Sequence, residues 1–461
     1  MSTVTGLESE LRARVSGELV LPDDREYDEA RAVYNGIHDR RPAVIVRAAG
    51  TADVAAAVTF ARQHDLPLAV RGGGHGVAGF ATCDGGVVID LGGMRRVDVD
   101  AEQRVARAEG GCTWGDFNHA THAFGLATTG GVVSTTGIAG LTLGGGLGYL
   151  SRTFGFSCDN LVAAEIVTAD GQVVTCSESR DEDLFWALRG GGGNFGVVTA
   201  FEYRLHPVAE IWGGPIFFPL DGKILRNCLD FVAQAPEQLG AIFGLAPVPP
   251  VPFVPEEWHG KPAIGLIACW TGPLEEGEQA LRPLEEWPIL GRGVGPMPYP
   301  VINTLFDELL PPGLRHYWKT HSARDIPEEA ADVHLEHGAR VPTVESGVFF
   351  FPLDGAPRRV GADDTALGFR DAALSIVITA AWHEPADDQS NVAWVRDYYD
   401  ALRPYAQEDA YVNFLAGDDQ DTVRAAYGDN YARLAEVKGR YDPDNLFRLN
   451  QNIRPAVGGG R

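Results

Sequence analysis

The first two hundred residues are crowded with glycine, and this limits what the chain can fold into more than any other feature. Glycine makes up 56 of 461 residues, about 12 % where roughly 7 % is usual. The clusters fall at 71–76, 110–111, 130–131, 137–148 and 190–196, and they thin out beyond residue 205. A residue without a Cβ reaches positive φ and lets main chain approach a ligand closely. Successive amide N–H groups in such turns form concave anion sites. An ordinary turn accounts for any single cluster. Several in one domain suit a long, doubly phosphorylated ligand lying extended across it.

One cluster, Gly191-Gly-Gly193-Asn194-Phe-Gly196, satisfies G-x-G-x-x-G. A dinucleotide turn of that type needs a strand before it and a helix N-terminus after it, because the helix end holds the pyrophosphate. Here a helix pattern (181–189) precedes and an alternating strand pattern (197–205) follows. The nicotinamide reading fails on context.

Around the glycines, apolar runs at 43–46, 68–70, 87–91 and 165–174 read as strands, the last folded at Asp170-Gly171 into a hairpin. Helical spacing fits 51–64, with Thr51 as its cap, and 113–124. Beyond residue 205 prolines and aromatics increase. The proline cluster at 245–255 reads as a rigid surface loop, and 346–351 and 375–381 as strands interleaved with helices such as 392–403. The class is α+β: a first domain over 1–205, a second over 206–440 and a terminal segment over 441–461.

Charge narrows the partners. With 38 Lys+Arg against 63 Asp+Glu, net −25, the surface repels phosphate, so neither nucleic acid nor an anionic membrane is an expected partner. No apolar run reaches the length of a membrane helix; 374–382 is the longest and carries Ser375 and Thr379. The six cysteines (83, 112, 158, 176, 228, 269) form no C-x-x-C pair and read as reduced thiols. Together with an N-terminus lacking a signal-peptide core, this points to the cytoplasm. His119/His122 and His334/His337 have metal-pair spacing without a third ligand, so no metal is expected.

Four segments then converge: Arg71-Gly72-Gly73-Gly74-His75-Gly76; Thr136-Gly137-Ile-Ala-Gly140-Leu-Thr-Leu-Gly144-Gly145-Gly146-Leu-Gly148; Asp183-Leu-Phe-Trp-Ala-Leu-Arg-Gly190; and Gly193-Asn194-Phe-Gly196-Val-Val198-Thr199. They resemble the vanillyl-alcohol-oxidase (p-cresol methylhydroxylase) flavoprotein superfamily. The closing Tyr441-Asp-Pro-Asp-Asn-Leu-Phe-Arg-Leu-Asn450-Gln-Asn452-Ile453 resembles its berberine-bridge-enzyme-like branch, which includes many natural-product oxidases. The resemblance covers about residues 40 to 455. It implies a two-domain FAD-binding fold whose second domain is an antiparallel sheet covered by helices.

The resemblance further implies that His75 bonds covalently to the flavin 8α carbon. The attacking imidazole must be neutral, and Arg71 nearby would favour that form. A second link through cysteine is not expected, since Val133 holds that position. Flavin contacts carried over are Gly72 to Gly76, the stretch from Thr136 to Gly148, Asn194, Gly196, Val198, Asn450 and Asn452. Thr136 stands where the family keeps a small residue by the oxygen-reactive edge, which leaves oxidase against dehydrogenase open.

Tyr411-Val-Asn413-Phe414 resembles the family's Y-x-N-Y segment, whose second tyrosine, a base in several members, is Phe414 here. The proton acceptor then falls to Tyr411, with Lys319 as a cation to lower its pKa, or to another residue of the second domain. Phe369, where many bacterial members have histidine, together with Phe414 argues for an apolar pocket. The expected activity is oxidation of a small, fairly apolar alcohol, phenol or amine with dioxygen as acceptor. An oxidative cyclase or oxygenase and a non-enzymatic flavin-binding protein are the alternatives. Monomer or homo-oligomer stays open.

Overall fold

The computed structural model describes residues 8–417 and 422–456. Four short strands, β1 (Glu18–Val20), β2 (Val44–Arg47), β3 (Leu68–Arg71) and β4 (Val87–Asp90), form a first sheet in the order β1-β2-β4-β3. The β2, β4 and β3 strands run parallel. Parallel strands need a crossover, and the helix Thr51–Gln63 supplies it, burying Val54, Ala57, Val58, Phe60 and Ala61. Its expected cap is corrected. Gly50 is the N-cap, and the Thr51 hydroxyl reaches away to Glu165 Oε1 at 2.8 Å.

A second, antiparallel sheet holds β5 (Val97–Asp100), β6 (Val105–Glu109), β7 (Leu161–Val167), β8 (Val173–Ser177) and β9 (Val197–Arg204), in the order β5-β6-β9-β7-β8. The β7–β8 hairpin turns through Gly171, whose φ of +81° suits glycine. The helix Trp114–His122 starts on a capping box in which Thr113 and Asp116 satisfy each other's backbone N–H.

The second domain holds one antiparallel sheet: β10 (Glu210–Pro219), β11 (Leu239–Pro247), β12 (Pro262–Trp270), β13 (Arg315–Ala323), β14 (Gly347–Pro352) and β15 (Leu374–Trp382). Their order is β10-β12-β11-β14-β15-β13, with short strands Gly291–Arg292 and Gly295–Pro298 on the β10 edge. The β15 strand is buried along its whole length. Ile376, Ile378, Ala380 and Trp382 pack among the residues of the covering helices, such as Ile224, Ala330 and Tyr398. Val377 and Thr379 face the first domain. This double burial explains the nearly unbroken apolar run in the sequence.

The chain returns to the first domain earlier than the expected boundary at 441. Ala410, Val412, Leu415, Tyr427, Leu434, Val437 and Ile453 share a core with Phe117, Phe185 and Phe201. A buried Lys438–Asp442 pair at 2.5 Å ties the return down, with Lys438 Nζ also donating to the carbonyls of Asn194 and Phe447. Among the described residues, no helix is long and apolar enough to cross a membrane.

Candidate active site

Between the two domains lies a cavity of about 400 Å³, with a floor of main chain and a wall of rings. The floor comes from two glycine loops in backbone contact. A Cβ on Gly73 would stand 2.5 Å from the Gly137 nitrogen, and one on Gly137 2.4 Å from that of Gly73. Neither position tolerates a side chain. Gly76, Gly140 and Gly193 are the reverse: a Cβ there meets nothing within 4 Å, because they open on the cavity. The floor is a cradle that side chains would fill.

His75 stands at the edge of this floor. Its ring stacks on Tyr34, centroids 3.6 Å apart, and its Nε2 lies 3.2 Å from the Thr135 hydroxyl. Burial pushes its pKa down to about 3, and His316 adds to the effect. The imidazole is therefore neutral at physiological pH, but the expected cause is corrected. Arg71 is turned away into an ion pair with Asp90 at 2.8 Å and a bond to the Ala32 carbonyl.

The sheet wall is set by strand alternation. On β13, His316 and Trp318 face the cavity, joined by Phe349 and Phe351 from β14 and Val377 and Thr379 from β15. Lys319, one residue out of phase, faces the helices instead. Its ammonium lies 5.6 Å from the Tyr399 ring on the helix Asp388–Leu402 and 5.8 Å from that of Tyr317. The expectation that Lys319 lowers the pKa of Tyr411 is therefore withdrawn.

Tyr411 and Asn413 both line the cavity. The Tyr411 oxygen accepts from Gly146 N at 2.9 Å, Leu147 N at 3.2 Å and Asn413 Nδ2 at 2.8 Å. Those bonds favour the phenolate, but burial outweighs them and the pKa rises to about 12. At neutral pH this phenol keeps its proton and is a strut between the glycine loop and the wall. It is poorly suited to the role of base expected from sequence. Gly144, Gly145, Gly146 and Gly148 serve the same packing. A Cβ on them would strike Asn413, Leu367, Ser157 and the Gly130 carbonyl respectively, and none of the four lines the cavity.

The other expected contacts divide. Gly72, Gly74, Val133, Thr136, Gly196, Val198 and Asn450 line the cavity. Asn450 donates to the Gly193 and Phe447 carbonyls and leaves a buried Oδ1 without a partner. Asn194 is buried and knits the returning chain: Nδ2 donates to Gln451 O, and Oδ1 accepts from Ile453 N. Asn452 lies off the cavity wall, its Oδ1 buried and unpartnered. Phe414 is in the wall against Trp318 and Phe351, whereas Phe369 sits behind it on Tyr411 and Phe156. Among the described residues no group of three metal-ligating side chains occurs, and His334 bonds Tyr398 at 2.7 Å.

Two features escaped the sequence reading. Tyr34 stacks against both His75 and His316, and Asn35 clamps the His316 backbone from both sides, accepting its N–H at 2.8 Å and donating to its carbonyl at 3.0 Å. The segment around Tyr34 carries no motif. His316 was findable, because alternation from Trp318 puts it on the same face.

Unpartnered Asn450 Oδ1, the open glycine cradle and a neutral histidine at its edge fit a flat, extended, hydrogen-bonding ligand. Residues 42–177 match the family described as FAD binding domain, and residues 410–454 that described as berberine and berberine like. The chain is 30 % identical to the FAD-linked oxidoreductase YgaK of Bacillus subtilis, over 96 % of this chain and 98 % of that one. It is also 30 % identical to (R)-6-hydroxynicotine oxidase of Paenarthrobacter nicotinovorans, over 96 % and 97 %. The solved structure of 6-hydroxy-D-nicotine oxidase from Arthrobacter nicotinovorans superposes with a TM-score of 0.86 at 28 % identity, covering 96 % of this chain and 98 % of that one. Berberine bridge enzyme from Eschscholzia californica shares the fold, with a TM-score of 0.84 at 20 % identity over 98 % and 100 %.

Proposed function

The chain belongs to the FAD-linked oxidoreductases of the berberine-bridge-enzyme-like type, and on that premise we propose an oxidase that holds its flavin through His75 and acts on a small, largely apolar alcohol, phenol or amine, with dioxygen as acceptor. When bound, FAD supplies a two-electron acceptor for a substrate C–H. The amides of Gly72 to Gly76, with Gly137, Gly140, Gly193, Gly196 and Val198, are the main-chain surface that would hold it. Asn450 Oδ1 is free to accept a hydrogen bond there.

His75 suits the covalent role because burial keeps the imidazole neutral, and in the tautomer whose Nε2–H donates to the Thr135 hydroxyl the ring's one lone pair is on Nδ1 for the bond. Val133 lines the same floor and offers no nucleophile, so a single attachment is expected. Opposite, Trp318, Phe349, Phe351 and Phe414 shed water and press an apolar substrate toward the floor. Tyr411 keeps its proton, so the substrate's departing proton goes to another group of the wall.

The observation that carries this reading is the neutral, stacked His75 at the rim of a glycine floor that no side chain obstructs. Acid precipitation tests it: yellow pigment should stay with the pellet of the native protein and pass into the supernatant for His75→Ala. Pigment released from the native protein would remove the covalent link. Hydrogen peroxide formed with a product two hydrogens lighter supports the oxidase assignment, and a product heavier by one oxygen overturns it.

A further inference from the structure

The wall opposite the glycine floor has a chemical sign that the rest of the cavity lacks. Among the described residues lining the cavity there is no Lys or Arg, and Glu345 is the one carboxylate. It sits just before β14, at the end of the wall occupied by His316. Ala381 pairs with His316 across β13 and β15, and the Ala381 N–H is taken by the Ser346 hydroxyl at 3.0 Å. The Glu345 side chain is 15 % exposed, and its Oε1 lies 3.4 Å from Nε2 of His383, a ring largely in solvent.

Beside it, His316 is 2 % exposed and neither ring nitrogen has a hydrogen-bond partner. The Asn35 clamp fixes its backbone, so the ring is positioned before any ligand arrives. Burial holds its pKa down, to about 4, which leaves a neutral imidazole with an acceptor nitrogen. Trp318 and Phe349 complete this end with aromatic rings. A half-buried carboxylate whose contact is a solvent-exposed imidazole, beside an orphaned acceptor among rings, leaves this end of the cavity short of donors. A ligand cation with several N–H donors satisfies all three, through charge, hydrogen bond and ring face.

We propose that this end of the cavity is a site for the protonated amine of an apolar ligand about one aromatic ring in size, with Glu345 as its counter-ion and His316 as its hydrogen-bond acceptor. The proposal rests on the oxidase reading and narrows its substrate class to amines. The molecule's strong negative charge works in the same direction by drawing cations toward it.

The test uses the flavin-loaded protein and two probes of one shape, benzylammonium and benzyl alcohol, bound without oxygen and followed by calorimetry. Benzylammonium should bind about tenfold more tightly than benzyl alcohol. Glu345→Gln should bring the two within about twofold, while Glu345→Asp keeps most of the preference. His316→Phe should weaken benzylammonium by about threefold through loss of the acceptor nitrogen. Equal binding of the two probes by the native protein, no binding of benzylammonium, or a preference that survives Glu345→Gln overturns the assignment. A protein that takes up no flavin overturns the oxidase reading instead, so the two failures are distinguishable.

Discussion

The floor and the wall of the cavity are built on opposite principles. The floor is main chain: Gly73 and Gly137 touch backbone to backbone, and Gly76, Gly140 and Gly193 face open space. The wall is side chain: rings from β13 and β14 with Val377 and Thr379 of β15, whose identity sets what fits. A surface of amides recognises the hydrogen-bonding groups of a cofactor, and where its two loops touch it tolerates no substitution. A surface of side chains can be exchanged residue by residue without disturbing the ladder beneath it. A constant cofactor and a changeable substrate ask for that division.

The largest expected effect tests the division directly. Gly137→Ala puts a Cβ 2.4 Å from the Gly73 nitrogen, with backbone on both sides and nothing flexible to yield. Flavin content, read from visible absorbance relative to protein, should fall below about a tenth of the native value. Phe349→Leu in the wall should keep full flavin and change only substrate KM. Equal flavin contents in the two variants would break the comparison.

Acid is the second probe. The folded pKa of His316, about 4, lies below the free value of 6.5, so the unfolded chain binds the extra proton between those limits. The stabilisation is complete above about pH 6.5 and is lost as pH falls toward 4. Urea unfolding of the flavin-free protein at pH 7 and pH 4 should show His316→Phe losing roughly 3 kcal/mol less than the native chain over that range. Parallel losses would mean that the wall imidazole is not buried in its neutral form.

Tyr411 joins the two regions, and removing its hydroxyl leaves the Gly146 and Leu147 N–H groups without their acceptor and Asn413 Nδ2 with the Leu141 carbonyl alone. Tyr411→Phe should cost about 2 kcal/mol of stability in urea while kcat stays within about threefold. A thousandfold fall in kcat at unchanged flavin content would restore this phenol as the base. The smallest effect is expected from Lys319→Met, on the helix side of the sheet. Its cation–π contacts with Tyr317 and Tyr399 are lost, and turnover should be unchanged. A selective loss of turnover would put Lys319 back at the reaction.

The same contrast explains what could be read from the sequence. The floor is local: His75 and its glycines stand within six residues of one another, and a motif of that kind survives without knowledge of the fold. The wall depends on phase. In Tyr317-Trp318-Lys319 an alternating strand exposes either Trp318 or Lys319 to the cavity, and only the pairing of β13 with β15 decides between them. Glu345 reaches the cavity, and Tyr34 reaches the rings of His75 and His316, from loops that no periodicity describes. The polar segment at 441–453 was legible as a return to the first domain. The same return from Ala410 to Val437 was not, because its apolar spacing resembles that of any helix–turn region.

That return has a consequence for the order of assembly. Asn450 and Gln451 complete the cradle, and Asn194 and Lys438 bolt them to a domain translated some 250 residues earlier. On the ribosome, the nascent first domain therefore emerges with one side of its groove missing. Capture of the prosthetic group belongs to the finished polypeptide, and chains halted before this final stitch would leave the ribosome pale.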